Sequence, residues 1–287
     1  MGDFLNIRAV LRQHLETERL LGVQDVPLPS VRRVAQGNAA AGRSSASPHP
    51  TATDTQSPAV GPRSSAGAAP LPETPHTMPV SPDELAARTA ALKRLDDDQV
   101  SVCVKCHLCR TRTKTVFGQG HAAARVVFVG EAPGSEEDRQ GLAFVGRAGQ
   151  LLTQMIAAMG LRRDEVFICN VLKCRPPDNR TPADDEIAAC SPYLFEQLRI
   201  IQPEVIVALG APASQTLLNT KDSIGRLRGR FHDFHISGSP LVGPPTPLMP
   251  TFHPAYLLRS PNEKRKAWED LMKVMELLGL PIPEKYR

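Results

Sequence analysis

The sequence has few aromatic residues, few cysteines and no long apolar run. Of its 287 residues, 5% are aromatic and six are cysteine, which excludes a small scaffold held together by disulfides. Apolar runs such as Val126–Val129 and Val205–Leu209 are far shorter than the roughly 20 residues of a membrane-spanning helix, so we expect no membrane association. Residues 1–21 carry charges throughout and lack the apolar stretch of a secretion signal. We therefore expect a cytoplasmic protein whose cysteines are thiols or metal ligands.

Most of the N-terminal third lacks both aromatic residues and cysteine. Only Phe4 is aromatic before position 81, and the segment 36–80 has eight prolines and 11 serines or threonines. Such a composition cannot bury enough apolar surface to offset chain entropy, so 36–80 is predicted to be a disordered Pro/Ser/Ala-rich linker. Segment 1–35 is predicted to be a short amphipathic helix, over residues 3–21, and a basic stretch. This helix either docks on a replication or repair protein or packs loosely on the core.

The remaining segment, 81–287, is predicted to be one folded domain. Ser81 can cap a helix, with Pro82 in its first turn and Glu84 completing a capping box. Beyond this point β-branched runs alternate with helical patterns, which predicts an α/β fold with a parallel sheet covered on both faces. The predicted strands and helices are Val126–Val129, Val166–Asn170, Val205–Leu209 and Leu248–Phe252, and residues 149–159, 182–200, 213–218 and 261–278.

Unusual residues follow three of these strands, and parallel sheets bind ligands at the carboxyl ends of their strands. The first stretch, 130–146, turns sharply at GEAPG, so its backbone amides can face a planar polar ligand or an anion. Acidic side chains crowd this turn, and no G-x-x-x-x-G-K-S/T pattern is present, which argues against a nucleotide-hydrolysing loop. A solvated acidic loop is the alternative interpretation.

The other two stretches are 170–180, which begins with Asn170, and 251–260, which contains His253. Asn170 offers a donor and an acceptor, which suits a base edge with adjacent carbonyl and ring N–H groups, unless the backbone satisfies it. His253 can donate a hydrogen bond to developing negative charge, unless its role is structural. After it, Leu257 and Leu258 are expected to be exposed beside Arg259, as an intercalating wedge with a phosphate anchor or a simple helix start.

The cysteine spacing indicates a metal centre. Cys103 and Cys106 form a C-x2-C pair, which lets two thiolates reach one centre. Cys174 and Cys190 lie 16 positions apart and can supply two more ligands. Four thiolates suit a tetrahedral zinc or a four-iron cluster, and the spacing does not choose between them; six unligated thiols are the remaining alternative. The cysteines outside this set are Cys109 and Cys169, of which the second is most simply a core residue.

Taken together, these features resemble the iron-sulfur uracil-DNA glycosylases, family 4 of the uracil-DNA glycosylase superfamily. The stretches GEAPG-x-x-ED-x-x-G-x-x-FVGRAGQLL, NVLKCRPP-x-NR-x-P and HPAYLLR occur in this order between about Cys103 and the helix containing Trp268. The resemblance implies a three-layer α/β/α sandwich around a central four-stranded parallel sheet, following the disordered N-terminal extension. It also implies a 4Fe-4S cluster and hydrolytic removal of uracil from single- or double-stranded DNA.

The resemblance also implies roles for individual residues. The implied cluster ligands are Cys103, Cys106, Cys174 and Cys190. The implied catalytic residues are Glu131, Glu137 and His253. The implied substrate-binding residues are Glu131, Ala132, Pro133, Phe144, Asn170, Asn179 and His253, with Phe144 stacking on the base. The implied DNA wedge consists of Leu257, Leu258 and Arg259.

Two positions depart from the family pattern. Ala132 stands where the best-known branch of the superfamily has an aspartate that acts on water, which leaves water activation open between Glu131 and Glu137. Ala143 stands where the family usually has proline before Phe144. No lysine is placed for imine chemistry, so we expect a glycosylase without lyase activity. We also expect this protein to be a monomer. A DNA-binding or lesion-sensing protein without catalysis, and a zinc-stabilised interaction protein, are the alternatives.

Overall fold

The computed structural model describes residues 78–236, 238 and 243–284. The helix predicted over 3–21 lies outside these ranges, as does the linker predicted over 36–80 apart from its last three residues. Within the described ranges, no helix has both the length and the apolar character needed to cross a bilayer.

The described residues form eight α-helices. The first, α1 (Pro82–Leu95), begins as predicted, because the Ser81 hydroxyl accepts a hydrogen bond from the Glu84 amide at 3.1 Å. The Glu84 carboxylate does not complete the capping box and instead accepts a hydrogen bond from Arg88 at 2.6 Å. The other helices are α2 (Ser135–Gln140), α3 (Arg147–Ala158), α4 (Asp184–Ile201), α5 (Ala211–Leu218), α6 (Ile224–Leu227), α7 (Pro254–Arg259) and α8 (Lys264–Leu277).

Six strands in the described ranges form one mixed sheet with the spatial order β1-β3-β2-β4-β6-β5. The four inner strands, β3, β2, β4 and β6, run parallel, and β1 and β5 pair antiparallel with the edges. The predicted four-stranded parallel sheet is thus present as the four inner strands, but the whole sheet is mixed, because two short antiparallel edge strands add to it. The strands are β1 (Gln119–Gly120), β2 (Val126–Gly130), β3 (Phe167–Asn170), β4 (Val205–Leu209), β5 (His232–Phe234) and β6 (Thr246–Thr251).

Both faces of the inner sheet are covered by helices. Strands β2 and β4 are buried along their whole length, as expected for strands in a parallel sheet between two helical layers. On one face, Val127 and Ile206 belong to a core with residues of α1, α4 and α5. On the other face, Phe128 and Val207 belong to a core with residues of α3 and α8. Burying each such side chain contributes about 1.5–3 kcal/mol, so the two cores fix the strands that carry the site.

The chain order of the strands creates a crevice at one end of the sheet. Strand β2 lies between β3 and β4, which follow it in the chain, so the connections leave β2 and β3 in opposite directions. Open α/β sheets bind ligands at such a switch point, outside the carboxyl ends of the strands. The stretches that follow β2, β3 and β6 are the three that the sequence singles out.

Candidate functional site

The carboxyl ends of β2 and β3 hold the first two groups of the site close together. The pairing continues past the strands, because the Val171 amide donates to the Gly130 carbonyl at 2.9 Å. A β-carbon at Gly130 would lie 2.3 Å from the Asn170 Oδ1 and 2.5 Å from the ring of Phe144. Only glycine therefore fits at this position, because the Asn170 amide and the Phe144 ring occupy the space that a side chain would need. We call the surroundings of Glu131, Phe144, Asn170 and His253 the base pocket, after the base that the family resemblance implies for these residues.

Asn170 has an unsatisfied polar atom inside this pocket. Its side chain is 2% exposed, and its Oδ1 has no hydrogen-bond partner among the described residues. A buried polar atom without a partner is unfavourable by about 1–3 kcal/mol, and such atoms are rare unless a ligand or water completes them. The backbone of Asn170 is held from below, because the buried Lys173 Nζ donates to its carbonyl oxygen at 2.8 Å. The fixed, unsatisfied oxygen is thus available to a donor on a bound molecule.

His253 lies two residues after β6 and caps α7, and its imidazole is placed as a neutral donor. The Nδ1 atom accepts a hydrogen bond from the Ala255 amide at 3.1 Å, so the ring proton resides on Nε2. Burial and, to a smaller extent, the charge of Arg259 lower the pKa of His253 to about 4, although the charge of Glu137 opposes this shift. The ring lies 5.7 Å from the ring of Phe144, centroid to centroid. At neutral pH the pocket therefore offers an uncharged N–H at the Nε2 atom.

The two acidic candidates of the first motif have different surroundings. The Glu137 Oε1 accepts hydrogen bonds from the amides of Val145 and Gly146, both at 2.9 Å, so this carboxylate holds the loop after Phe144. Burial raises the pKa of Glu131 above its usual 4.5, and no charge or hydrogen bond contributes to that shift. Both amides bond to the same oxygen of Glu137, whereas Glu131 is the carboxylate with a raised proton affinity.

The remaining predicted substrate-binding residues lie near the pocket or at its edge. Ala132 is partly buried against the core and Pro133 is buried, both directly after β2. Asn179 is exposed in a short 3-10 turn, where its Oδ1 accepts from the Arg175 Nε at 2.8 Å and its φ is 53°. The described contacts give Asn179 a bond within its own loop and none to the pocket residues.

The structure separates the two leucines of the predicted wedge. Leu257 is 1% exposed and packs in a small core with Phe252 and Ala267, so the expectation that it is exposed is wrong. The reason is the helix α7, whose periodicity turns this side chain inward. Leu258 is partly exposed and Arg259 is exposed, so both remain accessible on the outer side of α7.

Five of the six cysteines line one cavity beside the base pocket, which we call the cysteine cavity. The loop after α1 supplies three of them, and Cys174 and Cys190 come from the stretch after β3 and from α4. Cys169 is buried in the core, as predicted. Within the described residues, no three metal-binding side chains already form a group around one metal ion. The cysteines that line the cavity are Cys103, Cys106, Cys109, Cys174 and Cys190.

Hydrogen-bond donors point at three of these sulfur atoms. Arg112 Nη1 donates to the Cys174 Sγ at 3.2 Å, and the Lys173 amide donates to the Cys190 Sγ at 3.1 Å. The Tyr193 hydroxyl donates to the Cys103 Sγ at 3.3 Å. Hydrogen-bond donors directed at sulfur stabilise thiolates, and the ligand sulfurs of iron-sulfur sites accept hydrogen bonds of this kind.

The electrostatics of the cavity also fit a cationic centre. Burial raises the pKa of Cys190 to about 11; the charge and the backbone amide of Lys173 oppose this shift, and the neighbouring thiols of Cys174 and Cys103 add to it. Ionising several thiols there is unfavourable unless positive charge compensates them. The donor set and the directed hydrogen bonds therefore fit a four-iron cluster held by four of these thiolates.

Sequence patterns did not identify three further residues that shape the site. Lys173 is a charged residue buried between the apolar stretch of β3 and Cys174, a contrast that could have marked it. Arg112 and Arg163 act through contacts distant in sequence, and no local pattern distinguishes them from surface arginines.

Comparison with known proteins agrees with this geometry. The family model of the Uracil DNA glycosylase superfamily matches residues 117–272. The type-4 uracil-DNA glycosylase of Thermotoga maritima is 46% identical over 190 residues, which cover 65% of this chain and 95% of that protein. The corresponding enzyme of Sulfurisphaera tokodaii is 43% identical over 196 residues, covering 67% and 86%, and that of Archaeoglobus fulgidus is 42% identical over 198 residues, covering 67% and 97%. The resemblance seen in the motifs is confirmed, and the chain belongs to the type-4 family of the uracil-DNA glycosylase superfamily.

Proposed function

We propose that the base pocket binds a flipped uracil and that the chain hydrolyses the bond between this base and deoxyribose, leaving an abasic site in DNA. The observation that carries this proposal is the buried, unpaired Oδ1 of Asn170, in contact distance of the position that a side chain on Gly130 would fill. Family membership supports the same activity. The chain is thus a hydrolase of N-glycosyl bonds that acts in DNA repair.

Asn170 matches the edge of uracil. Its open Oδ1 accepts the ring N–H of the base, and its amide N–H donates to the adjacent carbonyl. Cytosine presents a ring acceptor and an amino donor at the same places, so two like groups would face each other. Recognition by a fixed amide rejects such an analogue strongly, because buried polar groups are then left unpaired.

His253 and Phe144 stabilise the base as it departs. The bond to deoxyribose breaks with negative charge developing on the uracil, and the Nε2–H of neutral His253 donates to this charge. Phe144 stacks on the base and holds it against the end of β2. A donor of this kind acts mainly in the transition state and contributes on the order of 100- to 1000-fold in rate.

Glu131 is the better candidate for activating water. Burial raises its pKa, whereas Glu137 already accepts hydrogen bonds from two backbone amides at its Oε1. Ala132 supplies no carboxylate of its own, so the neighbouring Glu131 takes the proton from the attacking water. Glu137 is then a positioning residue for the loop of Phe144.

The chemistry stops at the abasic site. Lys173 is the lysine nearest to Asn170 in the sequence. Its amine is buried and donates hydrogen bonds to the Asn170 carbonyl at 2.8 Å and to the Gln197 Oε1 at 2.6 Å. It is therefore not free to form an imine with the sugar. The expected product is intact DNA with one alkali-labile site.

Leu258 and Arg259 form the DNA wedge in this proposal. Extruding a nucleotide requires a few kcal/mol, which filling the gap in the stack offsets. The partly exposed Leu258 fills this gap and Arg259 contacts a phosphate, while Leu257 stays in the core as the support of α7. The net charge of +4 is compatible with such a polyanionic partner.

Cys103, Cys106, Cys174 and Cys190 would hold a 4Fe-4S cluster in the cysteine cavity. When bound, the cluster cross-links the loop after α1, the stretch after β3 and helix α4, and uracil hydrolysis needs no electron transfer. Arg112, the Lys173 amide and Tyr193 donate hydrogen bonds to its ligands.

We also propose a role for each of the three segments of the chain. We assign 1–35 to docking on a replication or repair protein, 36–80 to a linker and 81–287 to a monomeric, cytoplasmic glycosylase. Repair in cells that carry only residues 81–287 tests this division, since unchanged repair would contradict a docking role.

The decisive experiment is a gel assay on a labelled oligonucleotide with one uracil, followed by alkali. We expect alkali-dependent cleavage by the wild type and a loss of about 100- to 1000-fold in Asn170→Ala. Cys169→Ala is the matched control, because it changes the adjacent core position of the same strand. Intact DNA in every lane, from protein with a full complement of iron, would contradict the proposal and favour a DNA-binding or lesion-sensing protein.

A further inference from the structure

Arg163 lies outside the three motifs, in the loop between α3 and β3, yet it contacts the loop that carries Phe144. Its Nη2 donates hydrogen bonds to the carbonyl oxygens of Ala143 at 2.6 Å and Phe144 at 3.0 Å. Its Nη1 donates to the Thr153 hydroxyl on α3 at 3.0 Å. A β-carbon at Gly149 of the same helix would lie 1.8 Å from the Phe144 oxygen, so α3 and this loop are in close contact. The guanidinium joins the backbone of Phe144 to α3.

This contact matters because Phe144 has a left-handed backbone. Its φ is 51°, a conformation that is unfavourable by about 1–3 kcal/mol for residues other than glycine and persists only where the surroundings hold it. Glu137 holds the amides of Val145 and Gly146, on the C-terminal side. Arg163 holds the carbonyl groups at and before Phe144. The two side chains therefore fix the strained residue from both directions along the chain.

The hydrogen bonds of Arg163 indicate a role inside the protein. In the orientation of the Gln119 amide that suits both groups, its oxygen accepts from the Arg163 Nε at 3.3 Å and from Nη2 at 3.0 Å. Together with Ala143, Phe144 and Thr153, these acceptors are all uncharged. Burial lowers the pKa of Arg163, and the charge of Glu137 partly compensates. A guanidinium whose donors are directed inward is not placed to bind a DNA phosphate.

We propose that Arg163 is a positioning residue for uracil excision, which holds the Phe144 ring over the base by fixing the left-handed backbone of Phe144. This inference rests on the proposed function of the base pocket. Arg163 does not touch the base, so its substitution acts through Phe144. Without it, the strained residue can relax and the stacking surface moves.

The test compares Arg163→Gln with Arg162→Gln in the full-length protein, under single-turnover conditions on the uracil oligonucleotide. Arg162 is the matched control, because its exposed guanidinium pairs with Asp164 on the surface. We expect Arg163→Gln to lower the excision rate by up to about 100-fold, the effect of displacing a reacting group by about 1 Å. Free uracil should also inhibit this variant more weakly. Arg162→Gln should behave as the wild type.

A double-mutant cycle with Phe144→Ala separates this role from a general effect on folding. If Arg163 acts through Phe144, Arg163→Gln changes little in a chain that already carries Phe144→Ala. The same loss in both backgrounds, within about twofold, would overturn the inference. A wild-type rate in Arg163→Gln would overturn it too, whereas failure of the wild type to cleave would overturn the proposed function instead.

Arg163→Lys keeps the test valid should the glutamine variant unfold. Lysine retains the charge but has one donor group in place of the planar fork, so it cannot hold both carbonyl groups and Thr153 in the same geometry. We expect the excision rate of Arg163→Lys to lie between the rates of the wild type and Arg163→Gln. Equal rates for Arg163→Lys and the wild type would show that the fork does not position Phe144.

Discussion

Residues 170–174 connect the base pocket to the cysteine cavity, and the polar atoms of the two regions differ in their hydrogen bonding. In the pocket, the Asn170 Oδ1 lacks a partner and the Glu131 carboxylate receives no hydrogen bond that affects its pKa. In the cavity, Arg112, Lys173 and Tyr193 direct donors at the sulfur atoms. A site for a transient ligand keeps its polar atoms open, whereas a site for a permanent one surrounds them in advance.

The largest effect should come from the open carboxylate. Glu131→Gln removes the proposed base and should lower kcat by about 100- to 10,000-fold. The wild-type rate should fall as the pH is lowered, because Glu131 must be ionised to accept a proton and burial raises its pKa above 4.5. A pH profile of kcat/KM checks this sign. Loss of this acidic limb in Glu131→Gln is expected, and an unchanged limb would assign it to another group.

An intermediate effect should come from a substitution in the cysteine cavity. Cys174→Ser removes a proposed cluster ligand and leaves Arg112 facing an oxygen. We expect loss of the visible absorption and iron of the cluster, and a Tm lower by about 5–10 °C, on the scale where 1 kcal/mol shifts the Tm by about 2–4 °C. Activity should fall indirectly, because the loop bearing Asn179 loses its anchor.

The control for this change is Cys109→Ser, which alters a thiol lining the same cavity but outside the proposed ligand set. Iron content, colour and Tm should stay at the wild-type level. If Cys174→Ser kept full iron and stability while Cys109→Ser lost both, the ligand assignment would be wrong.

The smallest effect should come from the wedge. Leu258→Ala should lower excision from double-stranded DNA by about tenfold, since extrusion involves only a few kcal/mol, and leave excision from single-stranded DNA unchanged. Leu257→Ala should instead lower the Tm, because a buried leucine truncated to alanine loses about 2–5 kcal/mol of stability. Thermal melts and paired assays separate the two. Strand-independent loss in Leu258→Ala would exclude a wedge.

The inner sheet could be predicted from the sequence because each inner strand carries a run of buried apolar residues. The edge strands could not, since Gln119–Gly120 and His232–Phe234 are two and three residues long and have no such run. Their pairing depends on the neighbouring strands β3 and β6, which a local pattern does not contain.

The site was predictable to the same extent and for a similar reason. Asn170 ends one predicted strand and His253 directly follows another, so their position followed from the topology. Leu257 was misjudged because its burial depends on which face α7 turns to the core. Arg163 went unnoticed because its role comes from hydrogen bonds to residues 19 and 20 positions away.

Lys173 connects the base pocket to the cysteine cavity. Its amine holds the carbonyl of Asn170, and its own amide holds the sulfur of Cys190. The pocket and the cavity are consequently not interchangeable modules. A designer who transplants the residues of the base pocket onto another parallel sheet must carry the cysteine-bearing loops with them, or replace the buried amine with some other support for the strand end.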